Sequence, residues 1–301
     1  MSLPKHVKIV EVGPRDGLQN EPGIINSATK IEFINRLSAT GLTVIEATSM
    51  VNPARIPQLA DAEVVYTNIN KLPGVSYPVL IPNIKGMKRA LTVGVEEIAL
   101  FTSASESFNL KNINCSIAES LQRFEPVIEL ATQQNIRIRA YISCVLGCPY
   151  DGDVKLERVA RLAKQLHTMG CYEISLGDTI GVGTPLKARE MVLTVAEHVS
   201  IKHLAVHFHD TRGQALANIF ACLQEGVGVV DASVAGLGGC PYANGATGNV
   251  ATEDLLYMLK GMGIETGVDL DVLAEAGRFI CEKLGRENQS RVGRVLPRPP
   301  M

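Results

Sequence analysis

The 301-residue sequence predicts an α/β protein built as a closed (β/α)8 barrel, and two observations carry that prediction. Eight short runs rich in Val and Ile recur along the chain, each followed by a loop and a stretch of helical periodicity. The runs show little polar alternation, as strands do when they are buried on both faces of a parallel sheet. Eight strands alternating with eight helices suit a closed barrel, because an open doubly wound sheet usually has fewer strands and needs covered edges.

The elements follow in order. Val7 to Val12 leads through a polar loop to a helix that Ser27 can cap, which runs through Leu37 until Gly41 ends it. Val44 to Thr48 precedes a helix near 60–69, and Tyr77 to Ile81 one near 84–92. After Glu97 to Phe101, Ser116 and Glu119 have capping-box spacing. Arg137 to Cys144 is followed by a helix near 154–168, and Glu173 to Leu176 by one in which Thr184 is the cap and Pro185 the first-turn proline. His203 to Phe208 and Val229 to Val234 precede helices near 212–225 and 250–262. An apolar helix near 269–285 is additional to the barrel, and the Pro-rich end Arg294 to Met301 suggests a mobile tail. No composition break, Ser/Gly linker or repeat divides the chain, so one domain over 1–301 is expected, with its core at about 6–285 and a flexible 286–301.

Composition narrows the function classes. With 46% hydrophobic and 20% charged residues the chain is neither disordered nor a disulfide scaffold. Its 29 Lys and Arg are scattered against 31 Asp and Glu, for a net charge of −2, so no basic face for nucleic acid is expected. The opening residues lack the apolar core of a signal peptide, and no run approaches the ~20 apolar residues that cross a bilayer. The expectation is a cytoplasmic protein without a membrane partner. Seven cysteines without CxxC or zinc-finger spacing read as reduced thiols, and Cys144 and Cys148 as packing residues.

In a (β/α)8 barrel the chemistry lies at the C-terminal ends of the strands, where this sequence is unusually polar. Gly13-Pro-Arg-Asp-Gly-Leu-Gln-Asn-Glu21 follows the first strand, Glu46 interrupts the second, and Gly177-Asp-Thr179 follows the sixth. The seventh ends His207-Phe-His-Asp-Thr211, and the eighth leads into Gly236-Leu-Gly-Gly-Cys-Pro-Tyr-Ala-Asn-Gly245, with Asn249 beyond. Residues two apart on a strand point the same way, so His207 and His209 both project into the barrel mouth while Phe208 faces the helices. Together with Asp16 and Asn249 they form a mixed nitrogen and oxygen donor set, suited to Mg²⁺, Mn²⁺ or Zn²⁺. Arg15 is the electrostatic partner for an oxyanion or carboxylate, or pairs with Glu46, which is expensive to bury alone. Asp178 either orients a histidine or a metal-bound water, or caps its loop. Cys240 lies among small residues, where a ligand can approach the backbone closely, although spacing alone equally allows an inert thiol.

Four segments taken in order, Val12 to Glu21, Ser175 to Gly181, His207 to Gly213 and Gly236 to Ala243, resemble the 3-hydroxy-3-methylglutaryl-CoA lyase family. Its wider relatives, metal-dependent lyases and synthases that include isopropylmalate synthase, share the Arg-Asp and His-x-His plan. The resemblance spans residues 6 to 285. It implies a TIM barrel with an extra C-terminal helix, cleavage of an acyl-CoA to acetoacetate and acetyl-CoA, a homodimer, and Mg²⁺ or Mn²⁺ as cofactor. It makes Asp16, His207, His209 and Asn249 the metal ligands, with Arg15, Cys240, Glu46, Asp178 and His207 catalytic. Gln19, Ser49, Ser175 and Glu253, with Arg15, are its substrate-binding candidates. Animal-type members often carry a Lys after Gln-Asn-Glu that is linked to the CoA moiety, where this chain has Pro22. Another 3-hydroxyacyl-CoA, a condensation of acetyl-CoA with a 2-oxo acid, and a catalytically silent barrel are the competing possibilities.

Overall fold

The computed structural model of the protein describes residues 3–239 and 248–297. All eight predicted runs are strands in it, and the second is divided: β1 (Lys8–Glu11), β2 (Val44–Ile45), β3 (Thr48–Ser49), β4 (Val79–Leu80), β5 (Glu97–Ser103), β6 (Arg137–Ser143), β7 (Glu173–Asp178), β8 (Leu204–Phe208) and β9 (Val229–Ala232). Every pairing is parallel, in the order β2-β1-β9-β8-β7-β6-β5-β4-β3. Because β2 and β3 are two halves of one run, joined through Glu46 and Ala47, the two ends of that order meet and the sheet closes into a barrel. The joint is hydrogen-bonded to both sides, with Glu46 N donating to Glu11 O and Ala47 N to Pro78 O, each at 2.9 Å.

Around the barrel run α1 (Ser27–Ser38), α2 (Ala62–Asn68), α3 (Ile84–Thr92), α4 (Glu106–Ile113), α5 (Ile117–Gln133), α6 (Leu156–Thr168), α7 (Pro185–Ala196), α8 (Ala215–Gln224) and α9 (Thr252–Gly261). The additional C-terminal helix is α10 (Leu270–Leu284), followed by the short α11 (Arg291–Val295). The Ser116–Glu119 capping box forms as predicted. The cap of α1 is Asn26 rather than Ser27, since the Asn26 side chain accepts from Thr29 N at 2.8 Å and Ser27 Oγ donates to Asp61 instead. Thr184 is in the cap position of α7 without a capping hydrogen bond from its side chain.

Two features depart from expectation. The sequence suggested no helix at 106–113, yet Ser105 accepts from Phe108 N and Asn114 adopts a left-handed conformation, which together define α4. The segment 286–301 was expected to be flexible, but Ser290 is buried and donates to Asp254 Oδ1 at 2.6 Å. Val292 N donates to the same oxygen at 2.8 Å, so the start of α11 is tied to α9.

The main apolar core fills the layer between sheet and helices, where Ile174, Leu176, Val206 and Phe208 point outward. Inside the barrel there are two small apolar clusters, one around Val10 and Ala205 and one around Leu80 and Ala99. Between them runs a buried column of charge. Lys8 Nζ is 2.6 Å from Glu173 Oε2, Arg139 Nε donates to Glu173 Oε1 at 3.1 Å, and Arg139 Nη2 donates to Asp231 Oδ1 at 2.9 Å. The branched apolar residues that usually fill such barrels are here partly replaced by ion pairs.

Candidate active site

The loop after β1 winds into a tight turn over Gly13–Gly17, in which the N–H groups of Arg15, Asp16 and Gly17 all point to Val12 O. That turn lies against the loop after β9 so closely that a Cβ on Gly17 would be 2.8 Å from Leu237 Cβ, which explains a glycine there. It aims Arg15 and Asp16 inward. Arg15 Nε donates to Glu46 Oε2 at 2.6 Å and Arg15 Nη1 to Asp16 Oδ1 at 2.7 Å, and the guanidinium lies 5.4 Å from the Tyr141 ring centre. Arg15 and Glu46 are therefore paired as the strand position of Glu46 suggested.

Opposite them, the end of β8 and the residue that follows it present His207 and His209 to the site, while Phe208 joins the outer core. Donor atoms of Asp16, His207 and His209 all lie within 4.8 Å of one another, the spacing of a shared ion. Asn249 joins them through Nδ2, which donates to Asp16 Oδ2 at 2.9 Å and to Leu237 O at 3.2 Å. Gly238, at φ +111°, leaves room for that amide, since a Cβ there would be 2.8 Å from Asn249 Nδ2.

Electrostatics prepare the donors. Burial opposes charge on Asp16, but Arg15 and the two imidazoles outweigh it and hold the carboxylate well below its usual range. Burial, with His207 beside it, lowers His209 to about 4, so its ring is neutral at pH 7 with a lone pair to give. His207 Nδ1, His209 Nδ1 and Glu46 Oε1 are buried without a hydrogen-bond partner among the described residues. Buried polar atoms left open in this way fit a bound ion and an oxygen-rich ligand. Asp16, His207 and His209 thus form a possible metal-binding triad.

These groups line a cavity of about 520 Å³, whose wall includes Gln19, Tyr141, Thr179 and Gly239. The unpredicted α4 supplies Phe108 and Lys111 to the same wall. The other predicted residues fall elsewhere. The Asp178 side chain turns outward and accepts from Val182 N at 3.2 Å and Gly183 N at 2.8 Å, so it organises its loop and orients neither histidine. Ser49 Oγ donates to Leu80 O at 3.0 Å and is fully buried in the sheet. Glu253, on α9, accepts from Ala235 N at 2.8 Å and supports a strained turn in which Ala235 has φ 58°, away from the cavity. Ser175 points inward but donates to Asp231 Oδ2 at 2.6 Å beneath the site. Cys240 lies outside the described residues.

Sequence reasoning also missed Asp231, Arg139 and Tyr141. Asp231 Oδ2 is 3.3 Å from His207 Nδ1, and the Tyr141 ring meets the His207 ring edge-on at 5.9 Å. The signal was present. Asp231 and Arg139 are charges inside apolar strand runs, the same anomaly that singled out Glu46.

Comparison with known proteins agrees with this geometry. The model of the HMGL-like family matches residues 6–280. A chicken (Gallus gallus) mitochondrial hydroxymethylglutaryl-CoA lyase is 58% identical over 297 residues, covering 99% of this chain and all of the relative. The crystal structure of hydroxymethylglutaryl-CoA lyase from Pseudomonas aeruginosa superposes with a TM-score of 0.96 at 57% identity, covering 98% of both chains. An HMG-CoA lyase from Acinetobacter baumannii, solved in complex with coenzyme A and 3-methylmalate, gives 0.93 at 36% identity over 99% of this chain and all of that one. A barrel of this topology, carrying its polar donors at the strand ends and matched over nearly its whole length, belongs to the HMGL-like family of carbon–carbon lyases.

Proposed function

We propose that the protein cleaves 3-hydroxy-3-methylglutaryl-CoA to acetoacetate and acetyl-CoA, as one catalytic barrel that uses a divalent metal ion. The observation that carries this reading is the convergence of Asp16, His207 and His209 within 4.8 Å, beside Arg15, on the wall of one cavity. The near full-length identity to hydroxymethylglutaryl-CoA lyases supports the same substrate. Asp16, His207, His209 and Asn249 would hold the ion, and Mg²⁺ or Mn²⁺ suits this hard, mixed donor set, with Zn²⁺ also tolerated. Bound there, a divalent ion would lower the pKa of a substrate hydroxyl.

The chain's own groups supply the rest. The C3 hydroxyl loses its proton to a base at the site, the C2–C3 electron pair moves to C2, and C3 becomes the ketone of acetoacetate. Arg15, aimed by its bonds to Glu46 and Asp16, stabilises the negative charge on the thioester enolate that departs. Glu46, lifted above the usual carboxyl range by burial against the pull of Arg15, holds that guanidinium in place and keeps one oxygen open. Cys240 returns a proton to C2, completing acetyl-CoA. Its neighbour Gly239 lines the cavity. The six cysteines among the described residues are all buried, and burial pushes Cys144 and Cys171 up to about 12, which makes those two poor nucleophiles. Gln19 on the cavity wall is the remaining candidate for substrate contact.

A homodimer in the cytoplasm belongs to the same reading. Among the described residues no helix is long and apolar enough to cross a membrane, and one relative at 58% identity is a cytoplasmic lyase from rat. The test is product analysis. Incubation with 3-hydroxy-3-methylglutaryl-CoA and Mg²⁺ or Mn²⁺ should yield equal amounts of acetoacetate and acetyl-CoA, and turnover should stop on chelation. Cleavage of a different 3-hydroxyacyl-CoA with no acetoacetate from this one would overturn the assignment.

A further inference from the structure

We propose that Asp231 is the positioning residue for His207: from beneath the site it takes the Nδ1 side of the ring, so that the Nε2 lone pair is presented to the metal. Asp231 and His207 are direct partners in the parallel register of β8 and β9 and therefore point into the barrel side by side. Asp231 Oδ2 lies 3.3 Å from His207 Nδ1, within ion-pair distance but not aligned as a hydrogen bond, while His207 Nε2 faces Asp16 Oδ2 at 3.9 Å. The carboxylate is itself held from two directions, by Ser175 Oγ at 2.6 Å and Arg139 Nη2 at 2.9 Å. Arg139 also donates to Tyr141 OH at 2.7 Å, and the Tyr141 ring meets the His207 ring edge-on. One guanidinium thus braces both neighbours of the imidazole. Neither His207 Nδ1 nor His209 Nδ1 makes an aligned hydrogen bond among the described residues, so it is the 3.3 Å approach of Asp231 that sets the His207 ring apart. Carboxylates behind ligating histidines fix both tautomer and ring orientation.

The inference rests on the proposed metal site, and two measurements separate them. In wild-type protein at pH 8.5, long-range ¹H–¹⁵N NMR of the imidazoles should show His207 as the Nδ1–H tautomer. This readout needs no metal, and an Nε2–H ring would overturn the inference. Mn²⁺ titration followed by electron paramagnetic resonance should show Asp231→Asn binding about 10–100-fold more weakly, and Ser175→Ala several-fold more weakly, with unchanged circular dichroism. A folded Asp231→Asn that binds Mn²⁺ like wild type would also overturn it. If Asp231→Asn does not fold, Ser175→Ala and the tautomer decide. Wild-type protein that binds no Mn²⁺ would count against the metal site itself, with the tautomer still testing Asp231.

Discussion

The barrel interior holds two charged layers that treat burial differently. The lower one, Lys8, Glu173, Arg139 and Asp231, is a chain of alternating sign in which each group has an opposite partner within about 3 Å. The upper one pairs Arg15 with Asp16 and Glu46 but leaves Glu46 Oε1 and His209 Nδ1 open. Both layers carry the desolvation cost of buried charge. The lower one recovers it internally, whereas the upper one keeps buried atoms open. In this barrel, stability and function are layered by depth, with Asp231 as the link between the layers.

Variants can break that layering or sharpen it. The largest effect is expected from Arg139→Met, which leaves Asp231 buried without its cation and Glu173 with Lys8 alone. Loss of one partner of a buried pair costs about 3–5 kcal/mol, so the denaturant midpoint should fall markedly. An unchanged midpoint would mean that the lower layer is not structural. Next, Arg15→Gln should keep the folded circular dichroism spectrum while lowering kcat about 10²–10³-fold, the usual loss when a donor to a developing oxyanion is removed. A matching loss of stability would erase the distinction between layers. Third, alkylation with iodoacetamide should label Cys240 first, with inactivation slowed by substrate. Labelling confined to Cys144 or Cys281 with activity lost would contradict its role.

The smallest effect concerns a buried carboxyl with no cation. Glu11 accepts from Thr252 Oγ1 at 2.7 Å and from the N–H groups of Gly13 and Val234, and burial pushes it up to about 8. Asp231, beside Arg139, is instead held at about 2 despite equal burial. The folded state therefore retains a proton on Glu11 that the unfolded chain gives up above its ordinary value of 4.5. Stability from this group is full below that value and is lost as pH rises towards 8. Melting temperature should fall by a few degrees between pH 6 and pH 9, and Glu11→Gln should flatten the fall. A fall equally steep in the variant would sink this assignment.

Much of this was legible in the sequence. Strands buried on both faces announce themselves by unbroken apolar runs, and a charge inside such a run must face something polar, which is how Glu46 was identified. Asp231 and Arg139 obeyed the same rule and were passed over because no loop motif drew attention to them. Asp178 and Ser49 lie close to the right strand ends, but side-chain direction alternates along a strand and a one-residue offset turns a group away from the cavity, while Glu253 is on α9 and is taken up by Ala235 N. Asp178 and Ser175 show this directly, three positions apart on β7 and on opposite faces. The helix α4 was hidden because its limits are set by local capping at Ser105 and Asn114 rather than by a long apolar period.

The divided second strand has one more consequence. The ring of the sheet is sealed between Ile45 and Thr48, and Glu46, the acid that grips Arg15, is the residue at that seal. The turn that carries Arg15 and Asp16 is local in sequence, whereas Glu46 meets Arg15 where the run β2–β3 is paired with both β1 and β4. The binding geometry is thereby made conditional on closure of the ring, and formation of the Arg15–Glu46 pair during refolding would report when the ring has closed.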